Sequence, residues 1–194
     1  MEETQNNLAP VNGKPSVDFS MQINLAKNNE KVEKKIFKLL CGIAEKIVGQ
    51  SQEPIGTIIV LGDFEKYGPV ISGVVQMKPK QNPIDTFKIV DTEHGAQLIK
   101  EYSQSPYDGA MILDKTGQIL GVGVYLIIEH PTLDIPDDCG TRHKAAASFS
   151  MRSDVISVFT LSEETNIVRI WKEGKAAKVF RVEDEKPKME DEDK

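Results

Sequence analysis

A single mixed β-sheet flanked by helices, of the α/β (α+β) class, is the fold that three features of this sequence predict. One stretch, Asn28–Val48, carries apolar residues at three- and four-residue steps. Several short β-branched runs follow it, separated by turn residues. Helical and extended patterns then alternate irregularly, with no internal repeat, which suits one sheet covered by helices rather than a solenoid or a barrel.

Residues 1–26 read as a flexible leader, because Met1–Gln22 is rich in Asn, Pro and Gly and has no sustained apolar period. In Asn28–Val48 the residues Val32, Ile36, Leu39, Leu40, Ile43 and Ile47 form one stripe with Lys and Glu between them, the pattern of an amphipathic helix. Ser51–Pro54 ends it. Thr57–Leu61, between Gly56 and Gly62, reads as a buried strand, and Val70–Val75 as another. Lys78–Pro83 is a turn-rich connection. Thr92–Tyr102 reads as a helix with Thr92 at its N-cap.

Ala110–Leu113 and Ile119–Ile128 flank the turn Asp114–Lys115–Thr116–Gly117 and predict a hairpin. Thr141–Met151 reads as a helix. Val155–Leu161, Ile167–Lys172 and Ala176–Arg181 predict closing antiparallel strands, turning at Glu163–Asn166 and Glu173–Gly174. Residues 27–182 thus form one domain, and 183–194 an acidic tail expected to be disordered.

Charge narrows the function. Seven acids and three lysines in the tail account for −4 of the net −6, leaving −2 on all other residues. That balance excludes a general polyanion surface, so nucleic acid is not an expected partner. The longest apolar runs, Ile55–Leu61 and Gly121–Ile128, have strand length, so no membrane partner is expected either. The N-terminus lacks a basic region followed by an apolar one. Two cysteines, Cys41 and Cys139, form no disulfide framework, and the expected location is cytoplasmic.

Three short segments can carry chemistry. In Asp108–Gly109–Ala110, at the mouth of a strand, a carboxylate adjoins two residues without bulk, although Asp-Gly is above all a turn dipeptide. Gly140–Thr141–Arg142–His143–Lys144 places a hydroxyl and three cationic side chains at a helix start. The backbone N–H groups and dipole there favour anions, whereas cations oppose the dipole unless an anion lies between them. Arg brings a planar fork for phosphate oxygens. A basic, solvated first turn is the plainer alternative. Ser162–Glu163–Glu164–Thr165, after a strand, is either a polar turn or a source of hard oxygen donors for Mg²⁺ or Mn²⁺.

Other chemistries lack support. His94, His130, His143 and the cysteines show no zinc spacing. Neither the dinucleotide fingerprint nor the phosphate-loop motif occurs, and no nucleophile elbow is present.

Taken in order, Tyr107-Asp108-Gly109-Ala110, Tyr125-Leu126, Gly140-Thr141-Arg142-His143-Lys144-Ala145-Ala146 and Ser162-Glu163-Glu164-Thr165 resemble the diadenylate cyclase domain. That domain is shared by the DNA-integrity scanning protein and by membrane-bound and sporulation cyclases. The likeness runs from about Lys27 to Val182.

The resemblance implies that two ATP molecules are joined into cyclic di-AMP, with release of two pyrophosphates, between two domains face to face in a homo-oligomer. It implies Asp108 at the reacting ribose hydroxyl or its metal, and Gly109 and Ala110 allowing close nucleotide approach. Tyr125 and Leu126 would line the adenine pocket. Gly140, Thr141, Arg142, His143 and Lys144 would hold phosphates and ribose, with Ser148 and Ser162 as supporting donors. Glu164, with Glu163 as second choice, would bind Mg²⁺ or Mn²⁺. Lys144 stands where the family usually has a second arginine, and Tyr107 where several members have a metal-holding histidine. Those departures leave a second reading open, a degenerate sensor of ATP or cyclic di-AMP. Neither the DNA-binding region nor the membrane helices of the larger relatives is recognised, so the resemblance is to a stand-alone form.

Overall fold

A computed structural model describes residues 19–64, 74–76, 89, 94–104, 107–128 and 135–182. Ten elements follow in order: α1 (Phe19–Gln50), β1 (Thr57–Gly62), β2 (Val74–Gln76), α2 (Gly95–Tyr102), β3 (Ala110–Asp114), β4 (Ile119–Leu126), α3 (Thr141–Phe149), β5 (Val155–Leu161), β6 (Val168–Lys172) and β7 (Lys175–Phe180). The strands form one seven-stranded sheet in the order β2-β4-β3-β1-β5-β6-β7. Only β1 and β3 pair in parallel; every other neighbouring pair is antiparallel. This is the mixed, helix-flanked sheet the sequence predicts.

Alternation along the strands divides the core. Ile59 and Leu61 of β1, with Met111 and Leu113 of β3, face α1 and α2. Ile58, Val60, Ala110 and Ile112 face α3. β1 is buried along its whole length, as its central place requires. Each of its aliphatic side chains is worth roughly 1.5–3 kcal/mol of burial. Ala145, Ala146 and Ala147 let α3 lie close on the second face, with Phe149 closing its end.

Some boundaries differ from the expectation. α1 starts at Phe19 rather than Asn28, so the helix includes the end of the leader read as 1–26. Once a helix has nucleated, adding turns costs little. Ser51, in the left-handed region at φ 50°, stops the helix. α2 has His94 rather than Thr92 at its N-cap, without a side-chain cap. α3 ends at Phe149, because Ser150 Oγ turns back to donate to Ala147 O at 2.7 Å and accepts from Gly174 N at 2.9 Å.

The hairpin turn is as expected. Asp114 Oδ1 accepts from Thr116 N, Thr116 Oγ1 and Gln118 N, and Gly117 turns at φ 83°. The Val70–Val75 strand is seen only from Val74. Thr92, Lys78–Pro83 and the acidic tail lie outside the described residues.

Candidate active site

Register brings the motif segments to one end of the sheet. Thr57 at the start of β1 lies opposite Leu161 at the end of β5, and Ile58 lies opposite Ala110 at the start of β3. Ala110 in turn faces Val124 near the end of β4. Gly56, Asp108–Gly109, Tyr125–Leu126 and Ser162–Glu164 are therefore neighbours although far apart in sequence. α3 begins beside them.

Arg142, in the first turn of α3, joins the segments. Its Nη1 donates to Glu163 Oε2 at 3.0 Å, and its Nη2 lies 3.9 Å from Asp108 Oδ1. Gly56 provides the room: a Cβ there would stand 2.1 Å from Arg142 Nη1 and 2.7 Å from its Cζ. No side chain caps the amino end of α3; the cap residue is Gly140. The exposed dipole end and the guanidinium fork both favour an anion in front of the helix.

Two clefts meet at this point. A polar one, about 490 Å³, is lined by Asp138, Gly140, Thr160, Ser162, Glu163 and Glu164, with Thr141, Arg142, His143 and Leu161. A second, about 260 Å³, has walls from Ile58, Ala110, Val124, Leu126, Ile128 and Ala145, with Tyr125, Asp108 and Gly109 at its rim. Thr141 and Arg142 line both. An apolar recess opening onto a polar one is the division that a base and its phosphates require.

His143 behaves differently from its neighbour. It lines the polar cleft yet is only 5% exposed. Its Nε2 lies 3.3 Å from Nη1 of Arg169, a β6 residue 2% exposed on the α3 side of the sheet. Arg169 Nη2 in turn donates to Asp138 Oδ2 at 2.5 Å. Burial foremost, and the adjacent Arg169 next, push the imidazolium of His143 down to about 4. For Asp138, burial raises the carboxyl, but the charge and hydrogen bond of Arg169 outweigh it and leave it below its ordinary value. The His143 ring also lies 5.9 Å from that of Trp171, whose Nε1 donates to Thr160 Oγ1 at 2.9 Å.

Most of the expected site residues thus converge, but not all in the expected role. Gly109, at the rim of the apolar cleft, has φ +157°, and a Cβ there would lie 2.8 Å from the backbone of Gly123 and Val124, so strand packing also demands glycine. Ser148 is buried and lines neither cleft, because α3 turns it inward. Lys144 is exposed and lines neither. Glu163, not Glu164, meets Arg142, while both line the polar cleft. Tyr107 packs edge-on against Tyr102 at 5.1 Å, under α2. Sequence reasoning missed Gly56, Asp138, Thr160 and Arg169. The one available signal was an arginine at an inward position of the apolar run Ile167–Trp171.

Among the described residues no three His, Cys, Asp or Glu side chains are grouped closely enough to hold a metal by themselves. Asp108 and Glu163 nevertheless flank a single cation, the Arg142 guanidinium. Two carboxylates beside a phosphate-sized cleft fit Mg²⁺ or Mn²⁺, which take one or two carboxylates and complete their shell with substrate phosphates and water.

Comparison with known proteins adds the family. The profile described as DisA bacterial checkpoint controller nucleotide-binding, DAC, matches residues 45–176. A diadenylate cyclase of Methanocaldococcus jannaschii is 34% identical over 154 residues, covering 78% of this chain and 46% of that protein. One of Haloferax volcanii is 27% identical over 148 residues, covering 74% of this chain and 50% of that protein. The chain spans about half the length of these curated relatives. A crystal structure described as a hypothetical membrane spanning protein from Bacillus cereus shares the fold, with a TM-score of 0.50 at 18% identity, over 76% of this chain and 61% of that one. In this chain no helix among the described residues is long and apolar enough to cross a membrane. With the profile spanning most of the sheet and all of α3, the chain belongs to the DAC family, the nucleotide-binding family of the DisA bacterial checkpoint controller.

Proposed function

We propose that this chain condenses two ATP molecules into cyclic di-AMP with release of two pyrophosphates, two copies facing each other in a homo-oligomer. The observation that carries the reading is the pair of clefts sharing Thr141 and Arg142, one apolar and one polar. The relatives named diadenylate cyclase support it.

Adenine enters the apolar cleft against Leu126 and Val124, with the half-exposed Tyr125 ring at the rim. The phosphates lie in front of α3, where the helix end, Thr141 and the Arg142 fork neutralise and orient them. Asp108, with a side chain 73% exposed, stands where the 3′-hydroxyl must be presented. That oxygen gives up its proton to the Asp108 carboxylate or to water and attacks the α-phosphate of the ATP held by the facing copy. An O–P bond forms, the α–β bridging bond breaks, and pyrophosphate leaves with its electron pair. The second attack closes the ring. Positioning and charge neutralisation supply most of the acceleration in such transfers.

Asp108, Glu163 and Glu164 are the residues that would hold Mg²⁺ or Mn²⁺, which supplies further charge neutralisation at the phosphates. A site that holds one ATP leaves the second to a facing copy, so turnover per chain should rise with protein concentration. A cytoplasmic location accords with Cys41 and Cys139, both buried free thiols.

The test is the purified chain with ATP and Mg²⁺ or Mn²⁺, products identified by mass, beside Asp108→Asn. Cyclic di-AMP from the parent and none from the folded variant is the expected result. An ATP-binding, folded parent that releases no pyrophosphate with either metal overturns the proposal.

A further inference from the structure

The buried contact between Arg169 and His143 has a consequence for the chemistry of the polar cleft. A guanidinium carries five donors and no acceptor, and it stays charged. With Arg169 Nη1 at 3.3 Å from His143 Nε2, that nitrogen must present a lone pair, so the ring is neutral and its hydrogen sits on Nδ1. Asp138 fixes Arg169 by the 2.5 Å bond from Nη2 and belongs to the loop that leads directly into α3. Arg181 also approaches Asp138 Oδ2, at 3.5 Å. The Trp171 ring borders the imidazole as well.

We infer that Arg169 is a positioning residue: held by Asp138, it locks His143 in the neutral Nδ1–H form, so the ring meets a ligand in the polar cleft only as a hydrogen-bond donor. Arg169 touches neither cleft, so it acts through His143. The effect on ATP rests on the function proposed above; the ring form does not.

The tautomer is read from ¹⁵N-histidine NMR of the full chain, with His143→Gln assigning the signal among the three histidines. The parent should show a protonated Nδ1 and a bare Nε2 at neutral pH. Arg169→Met combined with Asp138→Asn removes the donor together with the carboxylate it pairs with, and should give a mixture of ring forms. In the ATP assay the same variant should raise KM severalfold while changing kcat less, because only the fraction of rings that keeps the Nδ1 hydrogen still donates. Arg169→Lys, which keeps a donor but cannot serve both partners, should recover the ring form in part.

An Nε2–H or doubly protonated ring in the parent overturns the inference, and that measurement needs no folded variant. An unchanged ring in the Arg169→Met, Asp138→Asn variant overturns it equally. The expected ring form in a parent that makes no cyclic di-AMP would sink the enzymatic reading and leave this one standing.

Discussion

Gly56 lies flush against the Arg142 guanidinium, so close that a methyl group on its Cα would stand 2.1 Å from Nη1. The obstructed atoms are the far end of a flexible side chain, so the arginine gives way while the fold does not. Gly56→Ala should therefore lower cyclic di-AMP synthesis by about 10- to 100-fold, the usual consequence of misplacing a positioning group. Its thermal midpoint should stay level. A fully active Gly56→Ala would mean that the position of Arg142 is not critical.

Gly109→Ala should act on the fold itself. Its methyl meets rigid backbone at 2.8 Å and needs φ +157°, so the expected cost is on the order of 1–3 kcal/mol. Chemical denaturation should show it as a lower midpoint.

One guanidinium turns Nη2 toward Asp108 and Nη1 toward Glu163, a planar two-nitrogen span that an ammonium does not reproduce. Arg142→Lys should cost about 10- to 100-fold in turnover, the loss expected for a charge-assisted hydrogen bond. Parallel assays of Glu163→Gln and Glu164→Gln then rank the two carboxylates, and Glu163 is expected to matter more.

Acid should weaken the fold through His143. The folded ring titrates at about 4 against an ordinary 6.5, so between those values the unfolded chain binds the additional proton. Unfolding free energy therefore falls as pH drops from 6.5 toward 4, by roughly 3 kcal/mol in total, and this contribution is flat above 6.5. Asp138 acts at the acid end: its lowered pKa stabilises the fold at neutral pH, and that share is lost as the carboxyl protonates. Denaturation curves at neutral pH and near pH 5 should differ less in His143→Gln than in the parent.

Tyr107 faces Tyr102 edge to face, and its ring rather than its hydroxyl makes that contact. Tyr107→Phe should keep both stability and product formation. Tyr107→Ala should lose about 1–3 kcal/mol, as for removal of a packed aromatic ring.

The fold class and the hairpin at Asp114–Gly117 were legible because each rests on local spacing, and the joint site of the three motif segments followed only from the family resemblance. Contacts across the sheet were not legible. Arg169 and Asp138 are 31 positions apart, and nothing local to either predicts the bond. The packing of Gly109 against Gly123 was likewise not legible, since only the register with β4 shows that a Cβ there would meet that backbone. The contact of Tyr107 with Tyr102 was not legible either, since nothing local to Tyr107 shows which ring it meets. The start of α1 was misplaced because Phe19, Met21, Ile23 and Leu25 alternate in sequence rather than following three- and four-residue steps.

The central place of β1 also governs the order in which the sheet is assembled. β3–β4 and β5–β6–β7 are antiparallel neighbours in sequence and can zip from their turns within microseconds. β1 has no such partner: it bonds β3 on one side and β5 on the other, across long stretches of chain. On a ribosome it emerges before both and pairs after both have been made. Capture of Thr57–Gly62 between β3 and β5 is therefore the high-contact-order step of this topology, and the one expected to be slowest. Because Gly56 immediately precedes that strand, the arginine seat at the site is completed only when the sheet closes.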